Sequence, residues 1–265
     1  KHPRWAQHTE HSMSRETTQQ QIKNSKRTSA SSLMNIQMIL TGAKVFTPHT
    51  QILCYGDSLT AGFIDGQTFH PYATTLEISL QLPVDYSGMC GWTTFDMIQK
   101  SNKAVCGLSN LLLRPTKQPP QKKQRLPQYK LCIIMSGTND LLAGHTPTEI
   151  MTNLRTLHEI CHDAGVLTVA ISIPQSIENY RTSTMLHKFQ KETNSLLREY
   201  AVGSIPSKCL YIDMESQIPW SLQSPFWSPD GLHMSKEGYE EMGRLLAPQI
   251  QHWVAMAGIE SKEYS

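Results

Sequence analysis

Four short blocks carry side chains suited to cleaving an acyl bond. Gly56-Asp57-Ser58-Leu59 closes a short apolar run with a glycine, an acid and a serine. Asp230-Gly231-Leu232-His233 sets an Asp and a His three residues apart. A serine hydroxyl becomes a nucleophile at neutral pH only when a base takes its proton and an acid orients that base. The second block supplies both partners, and Gly231 permits the turn that brings Asp230 back to its neighbour. Between them lie Ser87-Gly88-Met89-Cys90-Gly91-Trp92-Thr93 and Gly137-Thr138-Asn139-Asp140. A glycine N–H and an asparagine amide are both suitable donors to a tetrahedral oxyanion.

These blocks need strands to end beside them. Apolar runs at 51–55, 84–86, Leu131–Met135, 166–173 and 210–212 read as strands. Ser58 then sits at a carboxyl end, where open parallel sheets bind ligands. Helical spacing appears over 148–164, through Ile150, Leu154, Leu157 and Cys161. Its start reads as a capping box, with Thr146 as N-cap, Pro147 first in the helix and Glu149 reaching back; Gly165 is the stop. Further helices are expected over 184–202 and 235–256, with Pro248 kinking or interrupting the last. Strands alternating with helices imply right-handed crossovers and a parallel sheet covered on both faces. Residues 1–45 are polar and basic and are expected to be a disordered tail; 46–258 form the domain, and 259–265 a C-terminal tail. The Pro-, Gln- and Lys-rich stretch 114–126 reads as a surface excursion.

In this arrangement the chain resembles the SGNH hydrolases, the GDSL-type esterases and lipases. Ser58 matches the nucleophile of the first block, Gly91 the glycine of the second, Asn139 the asparagine of the third and His233 the histidine of the last, with Asp230 as the acid. The blocks keep the family's order and span residues 51 to about 247. Gly91 is preferred to Gly88 because one residue and then Thr93 follow it. The resemblance implies a three-layer α/β/α sandwich around a flavodoxin-like parallel five-stranded sheet in order 2-1-3-4-5. It implies a Ser58–His233–Asp230 triad, an acyl-enzyme, and an oxyanion hole made by the N–H groups of Ser58 and Gly91 and the Asn139 amide. The expected activity is hydrolysis of carboxylic esters, with a mild lean to short acyl groups such as acetyl. Alternatives on the same site are a lysophospholipase, a thioesterase or a carbohydrate deacetylase. A catalytically silent binding module is the non-enzyme alternative, and it would normally show a broken triad. Thr60 stands where a Gly-x-Ser-x-Gly elbow requires glycine, so the α/β-hydrolase pattern is not met. No metal or organic cofactor is expected.

Other signals compete weakly. His158-Glu159-Ile160-Cys161-His162 spells the HExxH zinc-protease pattern, but no third ligand is evident and its helix already has a packing face. Asp57 and Asp140 read as loop and cap residues rather than catalysts. Trp92, Trp227 and Tyr180 are candidates for the substrate pocket, with Trp220 and Phe226 nearby; packing of the loops is an equal reading for the tryptophans and Phe226. At 265 residues and 39% hydrophobic, the chain is long enough to bury a core. Its net charge of +2 is concentrated in residues 1–32, and the remainder is slightly acidic, which excludes a basic nucleic-acid-binding domain. Six cysteines without CxxC spacing read as small buried hydrophobes. No apolar run is long enough to span a bilayer. The expected partner is a small-molecule, lipid or carbohydrate ester, bound by a monomer. A soluble, cytoplasmic protein is slightly favoured, no signal peptide being visible in a chain that begins at Lys1 rather than Met.

Overall fold

The computed structural model describes residues 43–44, 50–65, 68–113, 129–179, 184–203 and 208–259. The apolar runs form strands because both faces of the sheet are covered, which makes near-continuous hydrophobic sequence the stable choice. Among the described residues the main sheet has six strands, β1 (Ala43–Lys44), β2 (Ile52–Gly56), β5 (Val84–Gly88), β6 (Leu131–Met135), β7 (Leu167–Ile171) and β8 (Cys209–Ile212). They lie in the order β1-β5-β2-β6-β7-β8. From β5 to β8 all neighbours are parallel, with Gly56 opposite both Gly88 and Met135. Counted among themselves, these five run 2-1-3-4-5. The addition is β1, an antiparallel edge strand pairing Ala43 with Ser87 and Lys44 with Tyr86. Two residues are too short for a periodic pattern to reveal.

Alternation divides the core. Ile52, Cys54, Leu131, Ile133 and Met135 pack on one face with Tyr72, Leu76, Tyr239, Met242, Leu246 and Ile250. These last belong to α2 (Tyr72–Leu80) and α9 (Lys236–Met256). Leu53, Tyr55, Cys132 and Ile134 face the other way, onto α4 (Leu108–Leu112) and α6 (Pro147–Asp163). Ala170 and Cys209 continue that layer, meeting Leu154 of α6 and Leu197 of α7 (Met185–Gly203). Each fully buried side chain of this kind is worth about 1.5–3 kcal/mol. The product is the three-layer α/β/α architecture.

Helix α6 is closed as its sequence dictates. Thr146 accepts from the Glu149 N–H, the Glu149 carboxylate accepts from the Thr146 N–H at 2.8 Å, and Gly165 follows at φ 77°. Pro248 does not break α9, whose helical assignment is continuous from Lys236 to Met256. The proline is exposed, while Leu246, Ala247, Ile250 and Val254 hold the buried face on either side of it. Tertiary packing outweighs the lost backbone bond. Residues 1–42, 114–128 and 260–265 lie outside the described residues, and with them most of the two tails and the 114–126 excursion; Ile259 packs into the core. No described helix is long and apolar enough to cross a membrane. The six cysteines are free, and only Cys90 is exposed.

Candidate active site

Strand β2 ends at Gly56, and the chain turns at once into a one-turn helix, α1 (Ser58–Ala61). Asp57 caps it, its Oδ1 accepting from the Leu59 N–H at 3.0 Å, and Gly62 in the left-handed region ends it. Ser58 therefore starts a helix beyond a strand's carboxyl end and is half-buried. Asp57 is wholly buried and its Oδ2 has no hydrogen-bond partner among the described residues. Burial pushes its carboxyl up to about 7; the Leu59 N–H opposes this and the charge of Asp140 adds to it.

The second half comes from the loop before α9. Trp227 bridges Met234, the Ser228 N–H donates to the His233 carbonyl at 2.9 Å, and the Ser228 hydroxyl donates to the Met234 carbonyl at 3.0 Å. Gly231, at φ 69°, lets the chain double back inside that closed loop. Asp230 Oδ1 accepts from the N–H groups of Leu232 and His233, each at 2.9 Å, leaving Oδ2 2.7 Å from His233 Nδ1. Partial burial alone would raise the Asp230 carboxyl, but the side-chain and backbone bonds of His233, with that of Leu232, outweigh it and hold it below the usual carboxylate range. A carboxylate only accepts, so Nδ1 carries the proton and Nε2 is the acceptor. His233 Nε2 lies 2.9 Å from Ser58 Oγ. The serine hydroxyl thus donates to the imidazole.

Opposite stand the ends of β5 and β6. The two glycines after β5 differ in kind. A Cβ on Gly88 would lie 2.1 Å from the backbone nitrogen of Ala61, so that glycine lets β5 approach α1. A Cβ on Gly91 would meet open space, and its φ is 76°. Gly91 is therefore exposed in a turn, closed by the Trp92 N–H donating to the Met89 carbonyl. Thr93 then caps α3 (Thr94–Gln99) with a capping box to Asp96. After β6, Gly137 leads into α5 (Thr138–Leu142). Asn139 Nδ2 donates to the Trp92 carbonyl at 2.9 Å, which fixes which end of the amide faces that loop and leaves one N–H to spare. Asp140, wholly buried, accepts from the Thr94 N–H at 2.8 Å and from the Thr94 hydroxyl at 2.6 Å. Two consecutive residues of one block are thus tied to the other.

The GDSL-like lipase/acylhydrolase family model matches residues 54–241, from inside β2 into α9. The chain belongs to this family. Among solved structures, a lipase/acylhydrolase from Enterococcus faecalis is similar at 22% identity, over 81% of this chain and 99% of that one, with a TM-score of 0.59. A carbohydrate acetylesterase family member from Sinorhizobium meliloti is similar at 21% identity, over 78% and 99%, with a TM-score of 0.56. A GDSL-like lipase from Bacteroides thetaiotaomicron follows at 15% identity, over 77% and 89%, with a TM-score of 0.54. At these identities the likeness is one of fold. A search of curated proteins returned no match.

Around the site of this GDSL-like hydrolase, packing and capping account for most of the other candidate residues. Trp227 is buried, its indole N–H donating to the Pro219 carbonyl at 3.2 Å, so its contacts are those of loop packing. Trp92 is half-buried beneath Lys100, whose Nζ stands 4.3 Å from the ring centroid. Tyr180 lies outside the described residues. Asp57 and Asp140 make the cap and loop bonds described above. In the HExxH segment, burial, with the charge of His162, pushes His158 down to about 3, against Cys209 and Tyr200; His162 Nε2 lies 2.9 Å from the Thr168 hydroxyl. Both rings serve helix-to-sheet packing. One neighbour of the site escaped sequence reasoning: the ring of Phe63 lies against His233, their centroids 4.6 Å apart. An aromatic five residues beyond the serine was the signal available.

Proposed function

We propose that the chain hydrolyses carboxylic esters through an acyl-enzyme, with Ser58 as nucleophile, His233 as general base and acid, and Asp230 as the residue that orients the imidazole. The observation that carries this reading is the unbroken run from Asp230 Oδ2 to His233 Nδ1 at 2.7 Å and from His233 Nε2 to Ser58 Oγ at 2.9 Å. Ser58 Oγ attacks the ester carbonyl carbon while its proton passes to Nε2. Asp230 stabilises the imidazolium so formed. Collapse of the tetrahedral species breaks the bond to the alcohol oxygen, which takes the proton from Nε2. Water, deprotonated by the same nitrogen, then attacks the acyl-enzyme and releases the acid and free Ser58.

The oxyanion is held by the N–H groups of Ser58 and Gly91 and by the spare N–H of Asn139. No hydrogen bond among the described residues uses the first two donors, which supports that role. The bond from Asn139 to the Trp92 carbonyl orients the third before substrate arrives. Short acyl groups such as acetyl are the proposed substrates' acid part.

A serine-reactive fluorophosphonate tests the reading. Wild-type protein is expected to label at Ser58 and to show burst kinetics on p-nitrophenyl acetate, and Ser58→Ala to do neither. Folded wild type that does not label, or Ser58→Ala that labels equally, overturns it.

A further inference from the structure

Between α1 and α2 the chain makes a small hairpin, β3 (Phe63–Asp65) and β4 (Thr68–Phe69). Phe63 pairs with Phe69 across it, and the two rings meet edge to face with centroids 5.8 Å apart and planes at 71°. Phe63 also lies against the His233 ring, tilted by 56°. Its backbone is anchored. The hydroxyl of the fully buried Tyr239 donates to the Phe63 carbonyl at 2.9 Å, and the His70 N–H donates to the Gly62 carbonyl at 2.6 Å. The aromatic pair is therefore held by the core through α9. Yet both rings are only half-buried. Apolar surface fixed in place and left partly open beside a reactive group is what an apolar ligand completes.

The direction of the chemistry says which part of the substrate that is. His233 Nε2 takes the Ser58 proton and must return it to the departing alcohol oxygen, so that oxygen comes within hydrogen-bond reach of Nε2. The imidazole that returns the proton is the one on which Phe63 packs, so the group that the oxygen carries departs beside an apolar ring. The carbonyl oxygen goes instead to the proposed donors of Gly91 and Asn139.

We infer that Phe63 and Phe69 form the alcohol-side subsite, and that the preferred esters are those of aromatic or bulky apolar alcohols. The inference rests on the proposed function above. Benzyl acetate and ethyl acetate test it, because they share an acyl group and their alcohols are both poor leaving groups. Initial rates are followed by titrating the released acid, for the full chain and for Phe63→Ala and Phe69→Ala. The expected result is a benzyl-to-ethyl ratio of kcat/KM that falls about tenfold in each folded variant, the loss typical of removing an apolar contact. Phe69→Ala matters most, since Phe63 is the ring that packs on His233. A ratio within twofold of wild type in the folded variants, including equal losses on both esters, overturns the subsite. Fluorophosphonate labelling of wild type separates the two failures. Without labelling at Ser58 the proposed function falls; with labelling and an unchanged ratio only the subsite does.

Discussion

Replacing Asp140 by alanine should damage both stability and turnover, for one geometric reason. The carboxylate is fully buried and takes two bonds from Thr94, at 2.8 Å and 2.6 Å, and Thr94 is itself fully buried. Without Asp140, the Thr94 N–H and hydroxyl lose their acceptor, at about 1–3 kcal/mol each. Some of that cost is shared, so about 3–4 kcal/mol is expected in total. His145 contributes little, lying 3.4 Å away with its side chain 37% exposed. In a domain of this size the melting temperature should fall by about 10 °C. The same bonds set the spacing between Asn139 and the Gly91–Trp92 turn. Misplacing a donor by about 1 Å costs on the order of 10²-fold in rate. The loss should appear in kcat, with KM changing less than about threefold, because the oxyanion exists only in the transition state. Asp140→Asn should recover most of both properties, its Oδ1 accepting from the Thr94 N–H and its Nδ2 donating to the Thr94 hydroxyl. The assay is steady-state kinetics on p-nitrophenyl acetate, normalised by fluorophosphonate titration of Ser58, beside thermal melts followed by circular dichroism. Asp140→Ala with wild-type kcat and a melting temperature within about 2 °C would refute the reasoning. So would Asp140→Asn as impaired as Asp140→Ala, since geometry and not charge is the claimed cause.

Asn139→Ala should lower kcat by about 10²–10³ with its melting temperature nearly unchanged, and unimpaired turnover would count against the oxyanion role. Gly88→Ala should be strongly destabilised by the 2.1 Å approach to Ala61, whereas Gly91→Ala should lose only about 1 kcal/mol through its positive φ; equal melts for the two variants would contradict this contrast. Asp57, pushed up to about 7 by burial, should make stability decline with pH. Its folded form keeps a proton that the unfolded chain releases near 4, so the contribution is whole below about 4 and is lost as pH rises toward 7, by a few kcal/mol at most. Asp57→Asn should flatten the slope of unfolding free energy between pH 4 and pH 7, and denaturant titrations at several pH values giving parallel wild-type and variant curves would refute it.

The polar half of the candidate site is legible in the sequence because the proposed catalysis constrains residue type. A serine and two donors fall just beyond strand ends, an acid and a histidine fall in the loop before α9, and their order along the chain is kept as the four blocks. The strands are legible for a related reason: residues 131–135 are buried on both faces, so an apolar run is required there. The apolar half of the site carries no such mark. Phe63 and Trp227 are both aromatics near a block, yet one lies against His233 while the other is buried beneath its own loop and bonded to Pro219. Distance along the chain does not say which way a ring points. Helix α2 carries little mark in the sequence either, since its buried positions Tyr72, Ala73 and Leu76 form only a short stripe and Pro71 caps it without a side-chain bond.

What joins the two halves is equally hidden from the sequence. The sheet places Ser58, whereas a loop closed on itself by Trp227, Ser228 and Met234 places Asp230 and His233. Nothing in either block sets their separation. Tyr239 does so in part: on α9, just beyond that loop, it donates to the Phe63 carbonyl, and Phe63 immediately follows the glycine that ends the helix of Ser58. The hydroxyl therefore reaches from the base's side of the site to the nucleophile's side, and the ring it anchors packs on His233. One aromatic hairpin thereby ties His233 to Ser58 and presents apolar surface to the departing alcohol. A change in that hairpin should alter which alcohols leave before it alters whether Ser58 can attack.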